Sequence, residues 1–159
     1  MREELLRLIE TNSRIDIKEL SKMLNKSEVD ILNELAELQK ENVICGYFTL
    51  IDWEKVNVEK VTALIEVRVT PQRGQGFDRI AERIYNYPEV KSAYLISGGY
   101  DILVILEEKS LKEIASFVSD KLSTIESVLS TATHFILKKY KDMGTILEKV
   151  HGDDREVIS

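Results

Sequence analysis

The chain has 159 residues, 43% of them hydrophobic, with a formal net charge of −6; that is enough to bury one substantial core, or two small ones that lean on a partner. No stretch approaches the roughly 18–20 uninterrupted apolar residues that span a bilayer, and the opening MREELLRLIE is too charged for the apolar region of a signal peptide, so a cytoplasmic, non-membrane protein is expected. The lone Cys45 excludes an internal disulfide, in keeping with a reducing compartment, and reads as a small apolar residue of a buried strand.

Residues 2–11 place Leu5, Leu8 and Ile9 on one face at helical spacing, and Asn12-Ser13 ends that first helix. Asp16 followed by Glu19 reads as a capping-box start for a second helix that buries Ile17, Leu20 and Leu24. After the short turn Asn25-Lys26, Ser27 with Asp30 opens a third helix carrying Ile31, Leu35 and Leu38. Two helices separated by so few residues must cross steeply, the helix-turn-helix arrangement. From Val43 to Ile51 the composition turns β-branched and aromatic around Gly46, which predicts a wing strand running into a connector. Trp53, in the polar turn that follows, reads as a packing anchor.

The second half reads strand, helix, strand, strand, helix, strand. Val61 to Val69 alternates, with Ala63, Ile65, Val67 and Val69 on one face. Phe77, Ile80, Ala81 and Ile84 form a helical stripe that stops before Pro88. Strands over Val90–Ile96 and Ile102–Leu106 flank the turn Ser97 to Asp101 and predict a hairpin. Ser110 caps a helix with Leu111, Ile114, Ala115, Val118 and Leu122, and Val128–Leu137 returns as the last strand. Two βαβ halves in this order are the split, ferredoxin-like arrangement, an antiparallel sheet with both helices on one face; the other face needs a partner. The residues from His151 to Ser159 are polar and are expected to fray.

In this order the residues resemble the Lrp/AsnC (feast/famine) family of regulators over about residues 3–143. The marks are Leu6-Arg7-Leu8-Ile9 leading to Arg14-Ile15 and Glu19-Leu20, Ser27 at the start of the third helix, Asn42-Val43-Ile44 with Gly46-Tyr47, the Gly99-Tyr100-Asp101 hairpin, and Ser130-Thr131-Ala132-Thr133. The resemblance implies an α+β fold: an N-terminal winged helix-turn-helix domain with its linker strand over residues 1–52, a C-terminal ferredoxin-like βαββαβ (RAM-type) domain over 53–145, and a tail over 146–159. It further implies double-stranded DNA as a partner, a homodimer that assembles to tetramers or octamers, and an amino acid or related small molecule as effector, with no cofactor. The third helix would enter the major groove and effector binding would shift the assembly among states.

One departure bears on DNA. Where the family usually carries a Thr and then one or two Arg on the reading helix, this chain has Asp30, Asn33 and Glu34, with Glu28 and Glu37 adding negative charge. Residues 1–60 hold nine Lys/Arg against thirteen Asp/Glu, while residues 61–145 balance at eleven each, although phosphate neutralisation supplies most of ordinary DNA affinity. In the functional reading Lys18, Lys22 and Lys26, with Arg14 and Lys40 at the edges, hold phosphates, Ser27 starts the helix there, and Asn33 reads a base. In the other, the acidic helix is a solvated or protein-contacting surface on an amino-acid-sensing oligomeric module.

For the effector, Gly98 and Gly99 leave bare backbone N–H groups suited to a carboxylate, and Asp101 is placed to accept from an ammonium group. Thr131 and Thr133 share parity on the last strand, so both hydroxyls reach one sheet face. The bland alternative is a hairpin with ordinary turn residues and threonines chosen for strand propensity. No catalytic set is legible: His134 and His151 have no metal-ligand spacing, and Gly74-Gln75-Gly76 is no phosphate loop. A likeness to sirohaem decarboxylases stays at fold level, since no arginine flanks His134.

Overall fold

A computed structural model describes residues 1–71 and 73–148. The chain divides into two compact units, Met1–Thr49 and the part from Leu50 onward, so the division falls three residues before the boundary expected after residue 52.

The first unit is three helices, α1 (Arg2–Thr11), α2 (Ile17–Leu24) and α3 (Glu28–Lys40). Their ends follow from local chemistry. The Asp16 carboxylate accepts the Lys18 N–H at 3.0 Å to start α2, and Asn25 closes it in the left-handed region at φ 51°. The Ser27 hydroxyl accepts the Asp30 N–H at 3.1 Å to start α3. An asparagine or serine at such a position satisfies backbone groups the helix itself leaves open. Leu5, Ile9, Leu20, Ile31 and Leu38 form the buried core, with Leu8, Ile15, Leu24 and Ile44 packed at its margin.

The wing strand expected over Val43–Ile51 is corrected: no residue of that segment enters a ladder. Val43, Tyr47, Phe48, Leu50 and Ile51 are exposed. Strand propensity reports a fit to a half-covered pleated surface, and here no neighbouring strand supplies one. Cys45 is accordingly exposed rather than buried, its Sγ 3.1 Å from the Asn42 carbonyl.

The second unit opens with a 3₁₀ turn over Trp53–Val56, where the half-buried Trp53 receives the Lys60 ammonium 4.1 Å from its ring centre. It continues as β1 (Val61–Val69), α4 (Asp78–Tyr85), β2 (Val90–Leu95), β3 (Ile102–Glu108), α5 (Leu111–Phe117) with one π-helical turn after it (Val118–Leu122), and β4 (Val128–Phe135). The sheet order is β2-β3-β1-β4, and every neighbouring pair is antiparallel. This is the expected ferredoxin-like sheet. Ala63, Ile65 and Val67 of β1 and Ile102, Val104 and Leu106 of β3 are buried against Ile80 and Ile84 of α4 and Ile114 and Phe117 of α5. Ser110 caps α5 by accepting the Glu113 N–H at 3.2 Å.

The opposite sheet face carries the other parity. Leu64, Leu103 and Ile105 remain half-buried there and Tyr94 is exposed. At one end Glu107 receives Lys60 at 2.9 Å and Lys91 at 3.0 Å. Burial pushes the Glu107 carboxyl up, but the two ammonium groups outweigh it and hold it below the usual carboxylate range. A depressed carboxyl adds stability above its unfolded pKa that is lost as the pH falls through the folded one. Glu107→Gln is therefore expected to flatten the acid limb of the stability curve below about pH 4.5; wild-type and variant curves of the same shape in acid denaturation would exclude this.

A further hairpin, β5 (Lys141–Asp142) and β6 (Thr145–Ile146), was not anticipated. Met143 and Gly144 both take positive φ, 47° and 79°, the two-residue turn whose twist suits paired strands. Ile146, the first residue of the expected tail, thus belongs to this hairpin, and the fraying expected from His151 to Ser159 lies outside the described residues.

Candidate DNA-reading surface and effector cleft

Lys18 and Lys22 on α2, Lys26 in the turn and Asn33 on α3 are all exposed. Ser27 is at the start of α3, but its hydroxyl is spent there: besides accepting the Asp30 N–H it donates to the Asp30 carboxylate at 2.7 Å. That bond also engages Asp30. Glu34 is half-buried beside α1, where the Arg2 guanidinium reaches it at 2.5 Å and also meets Glu41 at 2.8 Å. The Arg2 guanidinium holds the Glu41 carboxyl below its ordinary range. Two of the four carboxylates that argued against DNA, Asp30 and Glu34, are thus tied to partners within the unit. Glu28 and Glu37 stay exposed, the latter 3.9 Å from Lys40.

In the second unit, a cleft of about 230 Å³ opens beside the β2–β3 hairpin. Its walls are Glu66 and Arg68 of β1, Ser130, Thr131 and Ala132 of β4, and Gly99 and Tyr100 of the turn. Glu66 pairs in register with Ala132 and Arg68 with Ser130, which puts the two opposite charges on the face turned away from the helices. The register shifts between Arg68 and Val69, with Leu129 left over on β4 and exposed; such a bulge re-aims the neighbouring side chain. Glu66 also meets His134 Nε2 at 3.2 Å.

The residues expected to hold an effector divide. Gly99 and Thr131 form part of the cleft wall, while Gly98, Asp101 and Thr133 do not. Thr131 and Thr133 share a face as parity predicts, but their partners in register are Val67 and Ile65, so that face is the helix-covered one. The Asp101 N–H donates to the Val67 carbonyl at 3.0 Å and its carboxylate accepts the Val69 N–H at 2.9 Å. Asp101 pins the hairpin tip to the end of β1 and so aims Gly99 and Tyr100 at the cleft. Glu66 and Arg68 were missed in the sequence, although opposite charges two apart on an otherwise apolar strand already pointed to one outward face.

A larger cleft of about 380 Å³ lies by α5, among Glu89, Glu108, Lys112, Glu113, Phe117 and Lys121. Some of its charges are engaged within the chain: Lys121 pairs with Glu89, and Glu113 accepts the Lys109 N–H at 2.9 Å. Among the described residues no three His, Cys, Asp or Glu side chains gather to hold a metal ion, and no helix is long and apolar enough to cross a membrane.

A helix-turn-helix unit followed by a βαββαβ unit with a charged cleft defines a ligand-responsive transcriptional regulator. Residues 62–146 match the Lrp/AsnC ligand binding domain, and the chain is 49% identical to the HTH-type transcriptional regulator YugG of Bacillus subtilis over 98% of its own length and 95% of that protein's. The chain belongs to the Lrp/AsnC family. Among solved structures, the transcriptional regulator NMB0573 of Neisseria meningitidis in complex with L-Met superposes with a TM-score of 0.68 at 26% identity, covering 89% of this chain and 90% of that one. PH0061 shares the fold with a TM-score of 0.75 at 22% identity, covering 89% of this chain and 93% of its own.

Proposed function

We propose that this regulator binds double-stranded DNA in the cytoplasm through α2 and α3, and that an α-amino acid seated between Glu66, Arg68 and the Gly99 turn alters that binding. The observation that carries the effector half is the pair of opposite charges lining one cleft: Arg68 suits the carboxylate of an amino acid and Glu66 its ammonium group, while the bare N–H of Gly99 offers a further donor. Ser130 and Thr131 complete the wall, and Asp101 acts by holding the turn. The relative crystallised with L-Met supports an amino acid as the ligand class.

For the DNA half, Lys18, Lys22 and Lys26 contact phosphates and Asn33 contacts a base, while Ser27 contributes as the cap that sets the start of α3. One unit presents few positive charges, so the regulator binds as a homodimer. The sheet face bearing Leu64, Leu103, Ile105 and Tyr94 supplies the apolar surface for self-association, and dimers assemble further to tetramers or octamers.

Gel retardation across a salt series, paired with mass measurement and thermal shifts against the twenty amino acids, tests the reading. A salt-sensitive complex is expected, together with at least one amino acid that stabilises the protein by about 2.7 kcal/mol at a hundred times its Kd. Retardation of no duplex at low salt, with or without amino acids, leaves a ligand-sensing assembly that does not read DNA; a flat amino-acid panel removes the effector half.

A further inference from the structure

His134 stands on β4 next to the effector cleft. It pairs in register with Leu64, one same-face step from the Glu66–Ala132 pair and two from Arg68–Ser130, so its side chain shares the face on which the cleft opens. Its Nε2 lies 3.2 Å from Glu66 Oε2, and Glu66 is a wall of the cleft. The side chain is 59% exposed, so the packing of the core does not call for an imidazole here. β4 is the sheet's edge and, among the described residues, pairs only with β1. The charges that β1 carries on this face are Glu66 and Arg68. Glu107, farther off on β3, is taken by Lys60 and Lys91, and Tyr94 lies on β2 at the opposite edge. Glu66 is thus the group on which His134 acts.

An imidazole is the side chain whose ordinary titration falls between pH 5 and 8, where carboxylates, guanidinium groups and the ammonium group of a free amino acid keep their charges. A carboxylate has two oxygens, so an uncharged imidazole on one fixes its direction and leaves the other for an ammonium group. Protonation reverses the effect. The imidazolium neutralises the carboxylate and sets a second positive charge where an ammonium group must sit. We infer that His134 is a positioning residue of the effector site: neutral, it orients Glu66, and protonated, it competes for Glu66 with the effector's ammonium group, so that amino-acid binding expels a proton. The inference rests on the proposed seat of the amino acid between Glu66 and Arg68 and adds the group that weakens this seat in acid.

The test titrates the full chain with each of the twenty standard amino acids by calorimetry at about pH 5.5 and about pH 7.5, on either side of the ordinary histidine range. Competition between exposed charges is worth about two- to fivefold, so the amino acids that bind the wild type are expected to bind it more weakly by that factor at the lower pH. His134→Gln, which keeps an N–H donor and takes up no proton, is expected to bind with one affinity at both. His134→Lys, charged at both, is expected to bind at the higher pH as weakly as the wild type does at the lower. Equal wild-type affinities at the two pH values overturn the inference while the effector site stands. So does a pH dependence that survives in His134→Gln, whose only remaining histidine, His151, lies outside the described residues. An assembly mass that shifts with pH in the wild type but not in His134→Gln overturns it too, by assigning the histidine to self-association. Binding of no amino acid at either pH overturns the reading on which the inference rests as well.

Discussion

Leu38→Ala is expected to abolish DNA retention while leaving the amino-acid-dependent thermal shift in place. Leu38 is fully buried, one of five residues that form the core of the Met1–Thr49 unit. Truncating a buried leucine removes its transfer energy and leaves a cavity, together roughly 2–5 kcal/mol. So small a unit has few kcal/mol to lose. The substitution should therefore melt the reader helices, seen as lost helical circular dichroism and new protease cleavage before residue 50. The second unit has a core of its own, built on Ile65, Val104, Leu106 and Ile114, and none of these residues is touched. Undiminished retention of DNA by Leu38→Ala would contradict this account; so would loss of the amino-acid response along with it.

Arg68→Gln is expected to do the converse. Arg68 is exposed on the face away from the helices, so its replacement leaves the core intact. If its guanidinium holds the effector carboxylate, the loss of a charge-assisted hydrogen bond of roughly 1.5–3 kcal/mol weakens half-saturation about 10- to 100-fold. Retention of DNA without amino acid should match the wild type. Titration of the thermal shift with the responsive amino acid reads this directly. A half-saturation point unchanged in both Arg68→Gln and Glu66→Gln moves the effector elsewhere, with the larger cleft by α5 as the next place to look.

Elements whose signal is local were legible residue by residue. Asp16, Ser27 and Ser110 sit at helix starts as their side chains dictate, each accepting a backbone N–H two or three residues on. The alternation from Val61 to Val69 gave both the limits of β1 and its buried face. The order of strands and helices was enough for the antiparallel sheet, because short connections restrict how such halves can pair. The segment from Val43 to Ile51 failed for the complementary reason: its composition suits a strand, but a strand exists only against a neighbour. The Met143-Gly144 hairpin escaped notice because Lys141 to Ile146 has no apolar alternation to mark it.

The charges show the same division. That α3 is acidic is plain from its residues, but whether those carboxylates confront DNA depends on partners far along the chain. Arg2 reaches Glu34 across 32 positions, and Asp101 reaches the Val69 N–H across 32 more that no periodicity links. Likewise Glu66, Arg68, Gly99 and Thr131 become one cleft only when β1 is flanked by β3 and β4. Propensity, capping and alternation act over a few neighbouring residues and can be read in order; the partner of a charge and the walls of a cleft are set by packing between distant segments, and only the folded chain decides them.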